Sequence, residues 1–222
     1  MGDHLQARVL EGLPHGFSTA REPDLAAILP GAELVRVKQV HGRAVVEATK
    51  ARDALLEADG IVSARTGLLL GIVTADCAPV LFADPVAGVV GAAHAGWRGA
   101  LGGVLEETVT AMIALGAQPE NIGAAIGPTI SQPSYEVDQA FERQFAETDS
   151  HFFAAGREGH LQFDLPAYVV HRLSKVGVSR VEDLAEDTYS QPGRFHSYRR
   201  ATHRGETTNG RQLSVIGLPA SG

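Results

Sequence analysis

Residues 68–95 hold three apolar runs in close succession: LLLGIVTAD, PVLFAD and GVVGAAHA. A strand with one wet face alternates apolar and polar residues. These runs are apolar at successive positions, as expected of strands covered on both faces. None approaches the roughly 20 residues needed to cross a bilayer. The chain must therefore build layers on either side of a central sheet.

The covering elements can be read on either side. Leu101, Val104, Leu105, Thr108, Val109, Met112 and Ile113 fall on one stripe of a single helix, with Gly116 just past its end. IGAAIGP predicts another strand. LVRVKQVHGRAVVEA predicts a β-hairpin with His41-Gly42 at its bend, and Asp59-Gly60 a second turn. Val137, Phe141 and Phe145 predict a helix, and Asp164 N-caps a second one carrying Leu165, Tyr168, Val169, Leu173 and Val176 inward. The tail, FHSYRR to GRQLSVIGL, predicts two strands with Asn209-Gly210 at a turn. The fold class expected is α/β: a single domain over residues 1–222, with mixed β-sheet layers and flanking helices.

Composition narrows the function. Nineteen Lys and Arg stand against 26 Asp and Glu, a net charge of −7, opposite to the basic excess of most nucleic-acid binders. The single cysteine, Cys77, excludes an internal disulfide, a Cys-rich zinc finger and an iron–sulfur cluster. MGDHLQARVLEGLPHGF has no apolar core with basic flanks, so the expected location is cytoplasmic, without a membrane partner.

HExxH, CxxC, EF-hand and P-loop motifs are absent, as is the HxE…PCxxC pattern of the zinc deaminases. What remains is dispersed. His41 in KQVHG, Cys77 in TADCAPV and His94 in GAAHAGWRG each stand among small residues where a strand or hairpin ends. Two imidazoles and a thiolate suit zinc and leave a fourth position open. Read singly, the cysteine is equally a small buried residue and each histidine a hydrogen-bonded one. The loop HAGWRGALGG offers Gly96, Arg98 and Gly99 at a helix start, either as an anion site or as a tight turn. Arg199, Arg200 and Arg204 form a basic wall or a solvated strand edge. Asp76 is a candidate general base or a partner to a histidine. Tyr135 and Glu136 are weaker candidates, because a helix start explains their polarity equally well.

KQVHG, DGIVSA, TADCAPVLFADP, GVVGAAHAGWRG, IGPTISQPSYEV, FHSYRR and GRQLSVIGL occur in that order from Val37 to Leu218. In this the chain resembles the bacterial YfiH-like family, also called the laccase-domain or multicopper polyphenol oxidase family. The resemblance implies one zinc ion on His41, Cys77 and His94, with Cu2+ possible there. It also implies phosphorolysis of purine nucleosides (adenosine, inosine, methylthioadenosine), with adenosine deamination beside it. Phenol oxidation and editing of peptidoglycan precursors are the alternatives it carries.

The partners expected are thus a purine nucleoside and phosphate, in a monomer or homodimer. Asp76 and Arg98 are the expected catalytic residues, and Arg199, Arg200, Gly96 and Gly99 the expected substrate contacts. Against copper oxidation, the nine histidines include no HxH pair. The chain departs from the family pattern at Ala20 in HGFSTA, at Asp187-Thr188 and at His196, and in a short segment before QVHG. These departures bear on substrate rather than metal.

Overall fold

The three apolar runs divide between two stacked sheets. The computed structural model describes residues 4–50, 55–207 and 210–219. In chain order the strands are β1 (His4–Leu5), β2 (His15–Ser18), β3 (Glu33–Arg36), β4 (Val45–Glu47), β5 (Gly60–Ser63), β6 (Leu68–Thr74) and β7 (Ala78–Asp84). They continue as β8 (Val89–Ala95), β9 (Gly123–Ile126), β10 (Glu136–Asp138), β11 (Phe153–Ala155), β12 (His160–Phe163), β13 (Arg180–Asp183) and β14 (Gln212–Gly217). The helices are α1 (Leu25–Ile28), α2 (Trp97–Gly102), α3 (Val104–Ala114), α4 (Leu165–Lys175) and α5 (Tyr198–Arg204).

One mixed sheet runs β13-β9-β7-β8-β5-β4 and a second runs β1-β2-β14-β6-β3. A small antiparallel sheet runs β10-β12-β11. This is the α/β class with mixed sheet layers that the sequence predicts.

Alternation along β7 shows why its run is apolar throughout. Val80 and Phe82 enter the core beneath α3 and α4, while Leu81 and Ala83 enter the core between the two large sheets. In β8, Val89 and Ala93 take the helix side, and Val90 and Ala92 the sheet side. Both faces are dry, so neither residue parity can be polar. Small residues bring α3 close. A Cβ on Gly60 would stand 2.7 Å from Thr108 Oγ1, and one on Gly91 3.1 Å from Met112 Sδ.

Several sequence expectations need correction. The hairpin over residues 34–48 does not form: β3 pairs in parallel with β6, and β4 in parallel with β5, in the other large sheet. Asp59 is not a turn residue but is fully buried, and Gly60 opens β5. The single helix over 101–113 is two, broken at Gly103, whose φ of 102° is left-handed. The helix expected from Val137 to Phe145 is strand β10 followed by a 3-10 turn, Phe141–Gln144. Its apolar spacing comes instead from Phe141 and Phe145 joining Phe153, Phe163 and Trp97 in an aromatic cluster.

FHSYRR is not a strand. Ser197 accepts from Arg200 N–H and starts α5, which ends at Gly205 in a left-handed conformation. The Asn209-Gly210 turn falls partly outside the described residues. Asp164, in contrast, caps α4 as expected, accepting from Ala167 N–H at 3.0 Å. No described helix is long and apolar enough to cross a membrane.

Candidate metal centre

His41, Cys77 and His94 meet at one end of the stacked sheets. Their ligand atoms lie within 4.8 Å of one another, and the two imidazole rings stand edge to face at 4.7 Å. Each arrives on a different element. His94 is on β8, buried and 3% exposed. Cys77 sits in the bend between β6 and β7. His41 lies in the loop between β3 and β4, at a left-handed φ of 61°.

Asp59 joins two of the three, and the sequence reading missed it. Its Oδ1 accepts from His94 Nδ1 at 2.7 Å and from the His41 backbone N–H at 2.9 Å. Its Oδ2 accepts from the backbone N–H of Gly42 at 2.7 Å and of Val40 at 3.2 Å. The carboxylate thus gathers the strained His41 loop and engages Nδ1 of His94, leaving Nε2 for the centre. A histidine ligand oriented by a carboxylate is a recurrent arrangement at metal sites. The only sequence signal was an Asp-Gly pair before a buried strand, which reads as a turn.

The electrostatics are tightly coupled. Burial pushes the Asp59 carboxyl up, but hydrogen bonds from His94 and the loop N–H groups hold it below the usual range. Burial also raises the Cys77 thiol; interactions with His41 and His94 outweigh this and bring it down to about 7. His94 is lowered by burial but raised further by Asp59 and Cys77, to about 9. The residues present fit a metal ion. The donors are two imidazoles and a readily ionised thiol, and Gly96 leaves the space they need. A Cβ on Gly96 would stand 2.8 Å from Cys77 Sγ and 3.5 Å from His41 Cδ2.

The centre opens into a cavity of about 630 Å³ whose lining includes Asp76, Trp97, Arg98, Tyr135, Tyr198 and Arg199. Arg98 is exposed and lies over the Trp97 ring at 4.5 Å. Arg199 is half-buried, donates to the Glu136 carbonyl at 2.6 Å and lies 5.4 Å over the Tyr135 ring. Asp76, at a left-handed φ of 83°, is buried. Its Oδ1 accepts from Thr188 Oγ1 at 2.6 Å and its Oδ2 from Arg199 N–H at 2.6 Å. Oδ2 therefore holds the first turn of α5, while Oδ1 ties the carboxylate to Thr188, ahead of that helix.

Two expected substrate contacts lie elsewhere. Arg200 is absent from the cavity lining; its guanidinium bonds the carbonyls of Thr188, Tyr189 and Phe195. Gly99 also lies outside the lining, and a Cβ there would stand 3.0 Å from the Gly42 carbonyl. It lets α2 approach the His41 loop. Arg204 sits at the C-terminal end of α5, 3.9 Å from Glu206. Glu136 points to Arg157 in an exposed ion pair. Besides Asp59, the sequence reading missed Gln39, Trp97, Tyr198 and Arg211 in the lining.

The departures at residues 20, 187–188 and 196 are locally accommodated. His196 Nε2 meets the Ala20 carbonyl at 3.3 Å, and Asp187 accepts from Ser134 Oγ at 2.7 Å.

The family model for multi-copper polyphenol oxidoreductase laccase matches residues 20–219. The chain belongs to this laccase family. Curated members similar to it include a purine nucleoside phosphorylase of Rickettsia conorii, 39% identical over 83% of this chain and 78% of that one. Another of the same name, from Deinococcus radiodurans, is 43% identical over 88% of this chain and 75% of that one. Among solved structures, YlmD of Geobacillus stearothermophilus superposes with a TM-score of 0.85 at 27% identity, covering 99% of this chain and 100% of that one. A DUF152 protein of Neisseria meningitidis gives 0.78 at 34% identity, covering 86% of this chain and 76% of that one. Laccase-family membership covers each motif from KQVHG to GRQLSVIGL, and the YfiH-like fold expected from them is the fold observed.

Proposed function

We propose that the protein is a metal-dependent purine nucleoside phosphorylase acting on adenosine, inosine and methylthioadenosine. The observation that carries this reading is the cavity, where a His₂Cys donor set and the guanidinium groups of Arg98 and Arg199 share one space. The names borne by relatives at 39–43% identity support it.

In phosphorolysis a phosphate oxygen forms a bond to ribose C1′ as the bond from C1′ to the purine breaks. The electron pair leaves with the base. An attacking anion must be held beside C1′, and a guanidinium fork does this well. Arg98 stands beside the metal centre, and Arg199 is aimed by its bonds to Glu136 and Asp76. Because α2 is only six residues long, these side chains, not a helix dipole, carry the phosphate. Gly96 admits the thiolate. Asp76 holds α5 and thereby Arg199, which makes it a positioning residue in this reading.

Zinc fits His41, Cys77 and His94 best, with Cu2+ a competitor for the same donors. When bound, the ion supplies a Lewis acid able to polarise an oxygen, the chemistry that adenosine deamination as a side activity needs. Multicopper oxidation needs several metal groups, whereas one group of three or more donors assembles among the described residues. The test is elemental analysis of protein purified without added metal, followed by nucleoside turnover with and without phosphate. Zinc near one per chain and phosphate-dependent release of purine are expected. Phenol oxidation by the zinc form, or turnover of a muramoyl-peptide precursor in place of nucleosides, would overturn the reading.

A further inference from the structure

A purine leaving with an electron pair needs a hydrogen-bond donor, and the cavity offers few. Asp76 has both oxygens engaged and can only accept. Gln39 uses its amide on Val73, donating to the carbonyl at 2.7 Å and accepting from the N–H at 2.9 Å. Thr74 lines the cavity, but its Oγ1 is itself buried and out of a ligand's reach. Arg98 and Arg199 are the cations for phosphate. Tyr198 is 54% exposed, at the mouth, where water competes for its hydroxyl. Tyr135 remains.

Its ring is firmly placed. The Tyr135 carbonyl accepts from Phe163 N–H at 3.0 Å and its N–H donates to the Gln132 carbonyl at 3.1 Å. The ring meets Phe163 edge to face at 5.7 Å, and the Arg199 guanidinium lies over it at 5.4 Å. Among the described residues its hydroxyl has no hydrogen-bond partner, although the residue is half-buried and lines the cavity. Burial, and then the charge of Cys77, push the phenol well above its ordinary value, so it stays protonated. A half-buried phenol held by its ring contacts and left without a partner among the described residues is a donor available to a ligand.

We propose that Tyr135 donates a hydrogen bond to N7 of the departing purine, stabilising the charge that the base gains as its bond to C1′ breaks. The tyrosine keeps its proton, and the released base is protonated by solvent. This rests on the phosphorylase reading but is separable from it.

The test is Tyr135→Phe, which keeps the ring and removes only the hydroxyl, assayed on inosine and on 7-methylinosine. The methylated base already carries positive charge and has no lone pair at N7, so it needs no donor. With inosine kcat/KM should fall about 100-fold, as for loss of one donor at a developing anion. With 7-methylinosine it should fall less than about 3-fold, leaving the KM for phosphate and the metal content unchanged. An equal loss on both nucleosides, or no loss on inosine, overturns the assignment. Equilibrium binding of hypoxanthine separates the two claims. About tenfold weaker binding by the variant, from one lost hydrogen bond of about 1.4 kcal/mol, supports the contact even if the wild type turns over no nucleoside. Equal binding by both proteins refutes it.

Discussion

Asp59 does more for the centre than its place in the sequence suggests. One carboxylate takes four hydrogen bonds, three from the backbone of residues 40–42 and one from His94. Asp59→Asn keeps the shape, but its amide nitrogen is a donor facing N–H groups. Either the loop loses an acceptor or His94 adopts the tautomer whose Nε2 carries hydrogen. Metal affinity should fall about 10- to 100-fold, measured by chelator competition, while circular dichroism stays unchanged. Gly96→Ala attacks the same centre sterically, since its new methyl would sit 2.8 Å from Cys77 Sγ. Cys77→Ala removes the thiolate itself, and elemental analysis should find metal lost from a folded protein. Metal content at the wild-type level in Cys77→Ala would end the ligand assignment. The three candidate ligands were legible as residues in the sequence. Asp59 was not, because its work is done through backbone groups of a loop far away in the chain.

At the scale of elements, one glycine separates two helices. Gly103 ends α2 at φ 102° and lets α3 begin there. Gly103→Ala would force a methyl into the left-handed region, costing roughly 1–2 kcal/mol. At about 2–4 °C per kcal/mol for a chain of this size, the melting temperature should drop by several degrees. Helical periodicity runs straight through Gly103, because one glycine does not change which residues face the core.

Asp187 shows a pH effect with a definite sign. Burial raises it, but Ser134, Ser190, Ser131 and Tyr189 donate to it and hold it below the ordinary carboxylate value. Its contribution is present above the unfolded pKa, roughly 3.9, and is lost as pH falls through the lower folded value. Asp187→Asn should therefore be less stable than wild type at pH 7, and the gap should narrow below about pH 4 in urea titrations. A constant gap would rule out the ionised form as the source.

Over the whole molecule, a chain of net charge −7 places Arg98, Arg199 and Arg211 around one cavity. Local geometry, not global charge, decides what enters. Arg98→Ala should raise the KM for phosphate about tenfold or more while leaving metal content intact, which steady-state kinetics and elemental analysis check together. Stripping the metal with a chelator should leave the fold in place, since both apolar cores are built without His41, Cys77 or His94. Near-ultraviolet circular dichroism of the stripped protein would reveal a collapse if that is wrong.

What the sequence determined alone was local: strands dry on both faces, the cap of α4, and the residue types able to bind metal. These depend on neighbours within a few positions, where apolar period and hydrogen-bonding chemistry act directly. Only the tertiary structure decided that residues 34–48 split between two sheets, that Phe141 and Phe145 pack in an aromatic cluster rather than along a helix, and that FHSYRR coils beneath Asp76. It also separated Arg199, facing the cavity, from Arg200, spent on three carbonyls. The physical reason is that each outcome depends on a partner distant in the chain, such as Asp59 for the His41 loop or Asp76 for α5. Period and propensity contain no term for such a partner.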